Sequence, residues 1–357
     1  MSDDDLNSKL AALQRTMADL RHQLASGAAI PSAFTASTPP TNAAALHAPL
    51  RAPTPNPPKA TELLPPLPRG AADREPFVNW LVTAVRVRSG IAVEEQVRQK
   101  LARITLRLPL TEIEKWLSLL ATVDSAHPEW LALLESLTNH ETYFFRDLGQ
   151  LEHLQREVLA PLVARERLKA VPSITIWSAA SSSGEELYSV AMMLLEELEK
   201  AGEVESDGSS IRAKSRWHLR LFGTDLSRQA VRLATAGVYD AGPHASFRKF
   251  PVRFSRFLDA AVDGDGQFQR VRDCVRHGVS FQTFNLMDAS PPINHCDVVL
   301  CRNVLIYFDV EGKRSVWDLV FRALALDGIA LFGPTDVLED RRFTPIWGSS
   351  TVLYRKA

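Results

Sequence analysis

Residues 174–200 read ITIWSAASSSGEELYSVAMMLLEELEK. The first seven are β-prone and mostly apolar, SSSG breaks the run, and the remainder has the apolar spacing and length of a helix. The same alternation continues downstream. Strand-like HLRLFGTD precedes the helix SRQAVRLATAG, CDVVLCRNV reads as a buried strand, and VEGKRSVWDLVFRALAL reads as a helix. GIALFG and STVLYRK close the chain as strands. Strands alternating with helices predict an α/β domain over 166–357, built on a parallel sheet covered on both faces and ending in an antiparallel pair. Between Tyr239 and Asn285 the alternation breaks. FLDAAVDGDGQFQRVRDCVRHGVSFQTFNL carries a DGDG turn signal between short β-prone runs, which predicts a small inserted antiparallel β-subdomain at about 243–283.

Upstream, residues 73–165 read as a helical domain. FVNWLVTAVRVRSGI stops at Gly90, and VEEQVRQKLARITLRL sets Arg98, Lys100, Arg103 and Arg107 among its apolar positions. IEKWLSLLATV and PEWLALLESLTNHETYFFRD add two further helices. Residues 27–72 hold half of the 22 prolines, and their APTPNPP and LLPPLPRG stretches predict a disordered, polyproline-like linker. PPLP at 65–68 has the form of a docking motif, but a plain spacer is the expectation. In residues 1–26, Leu6, Leu10, Leu13, Met17, Leu20 and Leu24 recur at spacings of four and three. This pattern suits an amphipathic helix, and we expect a coiled coil that self-associates or takes a partner.

Composition excludes several classes. Hydrophobic residues make up 45%, charged residues 23%, and the net charge is −1, so the broad basic footprint of a duplex-binding protein is absent. Three cysteines without a CxxC pair predict a reducing compartment and no structural metal. MSDDDLN is acidic where a signal peptide is basic, and no run of about 18 apolar residues occurs. The expected compartment is the cytoplasm.

The turn SAASSSGEE at 178–186 stands where such folds hold a nucleotide-like cofactor. Its one glycine, Gly184, makes it poor for a pyrophosphate. S-adenosylmethionine has no phosphates; its ammonium wants an acid, and Glu185 or Glu186 supplies one. Both glutamates also suit the positive end of a helix. Asp225, at the end of RLFGTD, reads either as a ribose ligand or as a helix N-cap.

The blocks NHETYFFRD, WSAASSSGEELYS, GTDLS followed by ATAGVY, SFQTFNLMD and CDVVLCRNVLIYFD, taken in order, resemble the CheR chemoreceptor methyltransferases over roughly residues 75–357. The resemblance implies a Rossmann-like S-adenosylmethionine-dependent methyltransferase domain with an inserted antiparallel β-subdomain, preceded by an all-helical domain. It implies methylation of glutamate side chains on chemoreceptors. His140, Thr142 and Arg146 would reach the cofactor, Glu186 its methionine part and Asp225 its ribose. Asn285 and Leu286 would lie beside the adenine, and Asn303 and Val304 would line the pocket. Arg146 and Tyr307 would be catalytic, and the basic helix of Arg98, Lys100, Arg103 and Arg107 would meet the receptor's cytoplasmic helices. A (N/D)PPY tract, usual in enzymes that methylate a flipped adenine, is replaced by CRNVLIYFD.

Several positions depart from the family pattern. His140 stands for the usual Asn, Ser183 for Thr, Leu187 for Pro and Ser227 for a second acid. Pro334, Thr335 and Asp336 replace a GHSE-like stretch. His140 and the Pro-Thr-Asp stretch motivate the alternative of a catalytically weakened scaffold that binds S-adenosylmethionine.

Overall fold

The computed structural model describes residues 64–357 except 125–126, 138–140, 207–210, 243–244, 261–267, 335, 337 and 339. The heptad over 1–26 and the linker up to residue 63 lie outside the described residues, as does His140.

Among the described residues four helices come first: α1 (Glu75–Ser89), α2 (Glu95–Leu106), α3 (Leu110–Thr122) and α4 (Pro128–Leu137). Pro76 starts α1, where a missing N–H costs nothing, and Gly90 stops it in the left-handed conformation at φ 68°. Phe77, Trp80, Leu81, Ala84 and Val85 fall on one face and build a core with Leu101, Ile113, Leu117 and Trp130. The end of the expected linker is part of this layer. Leu64, Leu67 and Ala71 pack against it, and the buried Trp80 indole donates to the Pro65 carbonyl at 2.8 Å. A buried indole N–H needs an acceptor, and the proline carbonyl supplies it.

Next, α5 (Leu148–Leu154) passes through a π-turn, Gln155–Leu159, into α6 (Ala160–Glu166). The Ala160 N–H reaches back to Gln155 O, and Pro161, which has no N–H, follows at the start of α6. Leu151, Leu154, Val158, Leu159, Leu162 and Val163 enter the core of the sheet. Residues 148–165, expected in the helical domain, therefore cover the sheet instead.

The remaining elements are β1 (Ser173–Ala179), α7 (Glu185–Lys200), the ribbon β2 (Val204–Ser206) and β3 (Ile211–Ala213), β4 (His218–Asp225), α8 (Arg228–Ala236), β5 (Val238–Asp240), β6 (Leu258–Ala260), β7 (Phe268–Val271), α9 (Asp273–Arg276), β8 (Val279–Thr283), β9 (Cys296–Cys301), α10 (Val310–Ala323), β10 (Leu324–Phe332), β11 (Phe343–Trp347) and β12 (Val352–Lys356). The main sheet has the order β11-β12-β10-β9-β1-β4-β8. Its five strands from β10 to β8 are parallel, and β12 is antiparallel to both of its neighbours. The expected antiparallel end is present, but the outermost strand is β11, which was not read as a strand. Pro345 explains this, since proline weakens the signal and suits an edge.

Both faces of the sheet are buried, as a parallel sheet requires. Ile174, Ile176, Val298 and Leu300 face α5 to α7, while Trp177, Ala179, Val299 and Cys301 face α10. The insertion is a three-stranded antiparallel sheet, β5-β7-β6, spanning 238–271. Residues 279–283, expected within it, instead form β8 at the edge of the main sheet. Gly278, at φ 80°, makes the return possible, because a Cβ there would lie 2.6 Å from Leu219 O. The chain runs outward from β1 to β8 and returns to the other side of β1 as β9. That reversal opens a crevice at the carboxyl ends of β1 and β9.

At the far end of the sheet, Arg342 pairs with Asp340 at 2.7 Å and Asp318 at 2.8 Å, and lies over the Phe321 ring. Hydrogen bonds from the Arg342 guanidinium hold both carboxyls below the usual aspartate range. Their folded pKa values are depressed, so the stability they contribute is present above the unfolded value of about 3.9 and is lost as pH falls through the folded values. The unfolding free energies of the unaltered protein and Arg342→Ala, measured in urea, should differ by a constant amount above about pH 5 and converge below about pH 4. A gap that persists at low pH would contradict the pairing.

Candidate active site

Three loops meet at the crevice. The first leaves β1 through Ala180 and Ser182, at φ 61° and 49°, and reaches Gly184 at φ 94°. Gly184 serves two constraints. A Cβ there would lie 2.9 Å from Ala234 Cβ and 3.0 Å from Phe281 Cζ, so only glycine allows both the left-handed turn and the close approach of α8.

Asp225 braces this loop from the end of β4. Its Oδ2 accepts the Ser182 N–H at 2.8 Å and its Oδ1 the Ser227 N–H at 2.9 Å. The N-cap of α8 is Ser227, whose Oγ accepts from the Ala230 N–H. Asp225 is therefore no N-cap, and its carboxylate stands at the crevice.

The two glutamates that open α7 separate. Glu186 faces the crevice, where Ser178 Oγ donates to Oε1 at 2.8 Å and Arg302 Nη1 to Oε2 at 2.9 Å. Glu185 turns away and is buried, accepting from the Ser183 and Ser246 hydroxyls.

The second loop carries FFRD. Phe145 stacks on Phe254 with ring centres 4.6 Å apart, and Phe144 stacks on Phe247 at 4.9 Å. Phe145 and Asp147 hold positive φ on either side of Arg146, so the buried rings fix a turn that faces Arg146 to the cavity. Arg146 Nη1 donates to Glu141 O at 2.7 Å.

The third loop follows β9 and begins with Arg302, whose side chain is 1% exposed. Its Nε donates to Gln150 Oε1 at 2.7 Å, Nη1 to Glu186, and Nη2 to Arg146 O at 2.9 Å and Asp147 Oδ2 at 3.1 Å. One guanidinium thus joins all three loops to α5. Asn303 follows at φ 58°, and the turn Leu305–Tyr307 brings in Tyr307. The Tyr307 carbonyl accepts from the Ala92 N–H at 2.7 Å, Ile91 and Phe308 form an antiparallel bridge, and Arg86 pairs with Asp309. The helical layer is thereby clasped to the catalytic side of the sheet.

Thr142, Arg146, Glu186, Asp225, Asn285, Leu286, Asn303, Val304 and Tyr307 line one cavity. Every expected site residue except His140, outside the described residues, is brought together. The sequence reading passed over Arg302, Ser89 and Ile91, which also line it. Arg302 carried a signal: an arginine directly after the apolar strand CDVVLC must find buried acceptors. Ser89 and Ile91 carried none, since their place depends on a main-chain bridge.

Asp336, from the Pro-Thr-Asp departure, supports the site from behind. Asp336 Oδ2 accepts the Gly333 N–H at 3.1 Å, and burial pushes the Asp336 carboxyl up. A Cβ on Gly333 would lie 2.9 Å from Asn303 N, so this turn packs under the Asn303 backbone.

The donor set fits S-adenosylmethionine. Two carboxylates, Glu186 in the first turn of α7 and Asp225 at the end of β4, line the cavity together with apolar Leu286, Val304 and Phe284 and the amide of Asn285. Ser181 Oγ, which also belongs to a lining residue, is buried and has no hydrogen-bond partner among the described residues, so a ligand's polar group would satisfy it. Among the described residues no helix is long and apolar enough to cross a membrane.

Residues 140–351 match the family model described as CheR methyltransferase, SAM binding domain. The chain is 32% identical over 268 residues to a chemotaxis protein methyltransferase of Vibrio parahaemolyticus, covering 73% of this chain and 88% of that one. It is 31% identical over 230 residues to chemotaxis protein methyltransferase 1 of Pseudomonas aeruginosa, covering 62% and 76%. Against the chemotaxis protein methyltransferase of Escherichia coli K12 the identity is 28% over 265 residues, covering 72% and 83%.

Removing the guanidinium strands Glu186 and Asp147. Arg302→Met should lower the unfolding free energy in urea by roughly 3 kcal/mol. Arg302→Lys, which keeps the charge without the fork, should lie between the two. A loss below about 1 kcal/mol for Arg302→Met would show that the hub does not hold the loops.

Proposed function

The chain belongs to the CheR methyltransferase family, and on that premise we propose that it methylates glutamate side chains on the cytoplasmic helices of a chemoreceptor, forming methyl esters. The observation that carries this reading is the convergence of Arg146, Glu186 and Asp225 on one cavity. S-adenosylmethionine would supply an electrophilic methyl carbon on a sulfonium, whose sulfur would keep the bonding pair and leave as the neutral thioether S-adenosylhomocysteine. Glu186 would receive the ammonium of its methionine part and Asp225 its ribose hydroxyls. Asn285 and Leu286 would flank the adenine, and Thr142, Asn303 and Val304 would complete the pocket.

The rest of the work is placement. A glutamate carboxylate, with an ordinary pKa of about 4.3, is already ionised at neutral pH. No proton has to be removed, so a general base is unnecessary. Arg146 holds one oxygen of the incoming carboxylate and leaves the other directed at the methyl carbon. Tyr307, Phe308 and Ile91 line the same cavity, where the Tyr307 ring would face the sulfonium and the three together would help to exclude water. Water exclusion favours a step in which opposite charges neutralise each other.

Docking falls to α2, with a redistribution among its basic residues. Arg98 is occupied by Glu75 and Asn79, and Lys100 donates to Leu137 O. Arg103 and Arg107 are exposed, and they are the cations we assign to the receptor's acidic helices. The substrate places the reaction in the cytoplasm. The heptad over 1–26 then serves as a second attachment, to another copy or to a partner of the same pathway.

With labelled S-adenosylmethionine and a receptor cytoplasmic fragment, label should enter the receptor and leave as methanol in mild base. A base-stable product would rule out the ester. Arg146→Ala should lower kcat by about a hundredfold with the thermal unfolding midpoint unchanged. Undiminished turnover would remove Arg146 from the mechanism.

A further inference from the structure

Glu185 is 2% exposed, lines no part of the cavity, and has no role in the reaction described above. Burying a carboxylate at the start of a helix is costly unless every lone pair is used. Here Ser183 Oγ donates to Oε2 at 2.7 Å and Ser246 Oγ to Oε1 at 2.8 Å. Burial pushes the carboxyl up, while the two hydroxyls and the Arg248 charge pull it back.

The two serines belong to different parts of the protein. Ser183 lies in the loop whose Ser181 and Ser182 line the cavity. Ser246 lies in the insertion, between β5 and β6, and its carbonyl accepts the Phe144 N–H at 2.9 Å, two residues before Arg146. A second set of bonds follows the same path. Tyr239 of β5 donates its hydroxyl to Ser183 O at 2.7 Å. Ser189 Oγ donates to the Glu185 carbonyl at 2.6 Å and accepts the Phe145 N–H at 2.9 Å.

We infer that Glu185 is a positioning residue that ties the inserted β-subdomain to the cofactor loop and to the Arg146 turn. Displacement of the insertion, by a partner or by substitution, is transmitted to the pocket through this carboxylate. The inference rests on the reading of the cavity as an S-adenosylmethionine pocket.

The test is calorimetric titration of the full chain and its variants with S-adenosylhomocysteine, with the melting temperature of each variant recorded. Neither Ser183 nor Ser246 lines the cavity. Ser246→Ala should nevertheless weaken binding on the order of fivefold. Ser183→Ala combined with Ser246→Ala should bind no more weakly than the weaker single variant, because either change alone breaks the bridge through the Glu185 carboxylate. Glu185→Gln keeps the shape and one acceptor, and should bind more tightly than Glu185→Ala. Ser246→Ala binding within about twofold of the unaltered protein would overturn the inference, and so would losses that multiply in the double variant. An unaltered protein that does not bind S-adenosylhomocysteine would overturn the cofactor reading and this inference together. Tight binding by both the unaltered protein and Ser246→Ala would overturn this inference alone.

Discussion

A guanidinium buried at the end of a strand has five N–H donors to satisfy and a charge to neutralise. Arg302 meets both demands by drawing together Gln150, Glu186, Asp147 and the carbonyl of Arg146. Those acceptors come from α5, from the first turn of α7 and from the FFRD turn. The relative placement of the cavity walls follows from this one side chain. It also explains why α5 and α6 cover the sheet: Gln150 links Arg302 to Phe332 O at the end of β10.

Around that hub the backbone is held where few residues go. Phe145, Asp147, Ala180, Ser182 and Asn303 all have positive φ, and all lie on the three loops that form the crevice. Such conformations persist only when the surroundings over-determine them. Buried phenylalanine rings do so for the FFRD turn, Asp225 for the loop after β1, and the Gly333–Asp336 turn for Asn303. The stiffness suits a reaction that needs placement and no base.

Much of this was legible in the sequence because the signals are local. The strand–turn–helix pattern at 174–200 predicts the first unit of the sheet, and the ordered motif blocks point to nine residues that the fold gathers into one cavity. What was not legible depends on contacts between distant segments. Residues 148–165 fall in the stretch expected to be a helical domain, and nothing local in them says that their apolar side chains pack into the core of the sheet. The break in alternation after Tyr239 pointed to an inserted antiparallel sheet, which β5-β7-β6 provides, yet the role of 279–283 turned on the return at Gly278. Ile91 and Ala92 reach the site through main-chain groups, which leave no mark on composition or spacing. Proline hid β11, and the two adjacent glutamates could be told apart only once the pitch of α7 set one inward and one outward.

The central claim is that one cavity, assembled around Arg302, takes S-adenosylmethionine with Glu186 and Asp225 as its polar anchors. A crystal structure of the full chain with S-adenosylhomocysteine tests it most directly. The ligand's amino group is expected within about 2.7–3.2 Å of a Glu186 oxygen and its ribose hydroxyls at the same range from Asp225. A ligand seated elsewhere, or one in this cavity that contacts neither carboxylate, would contradict it.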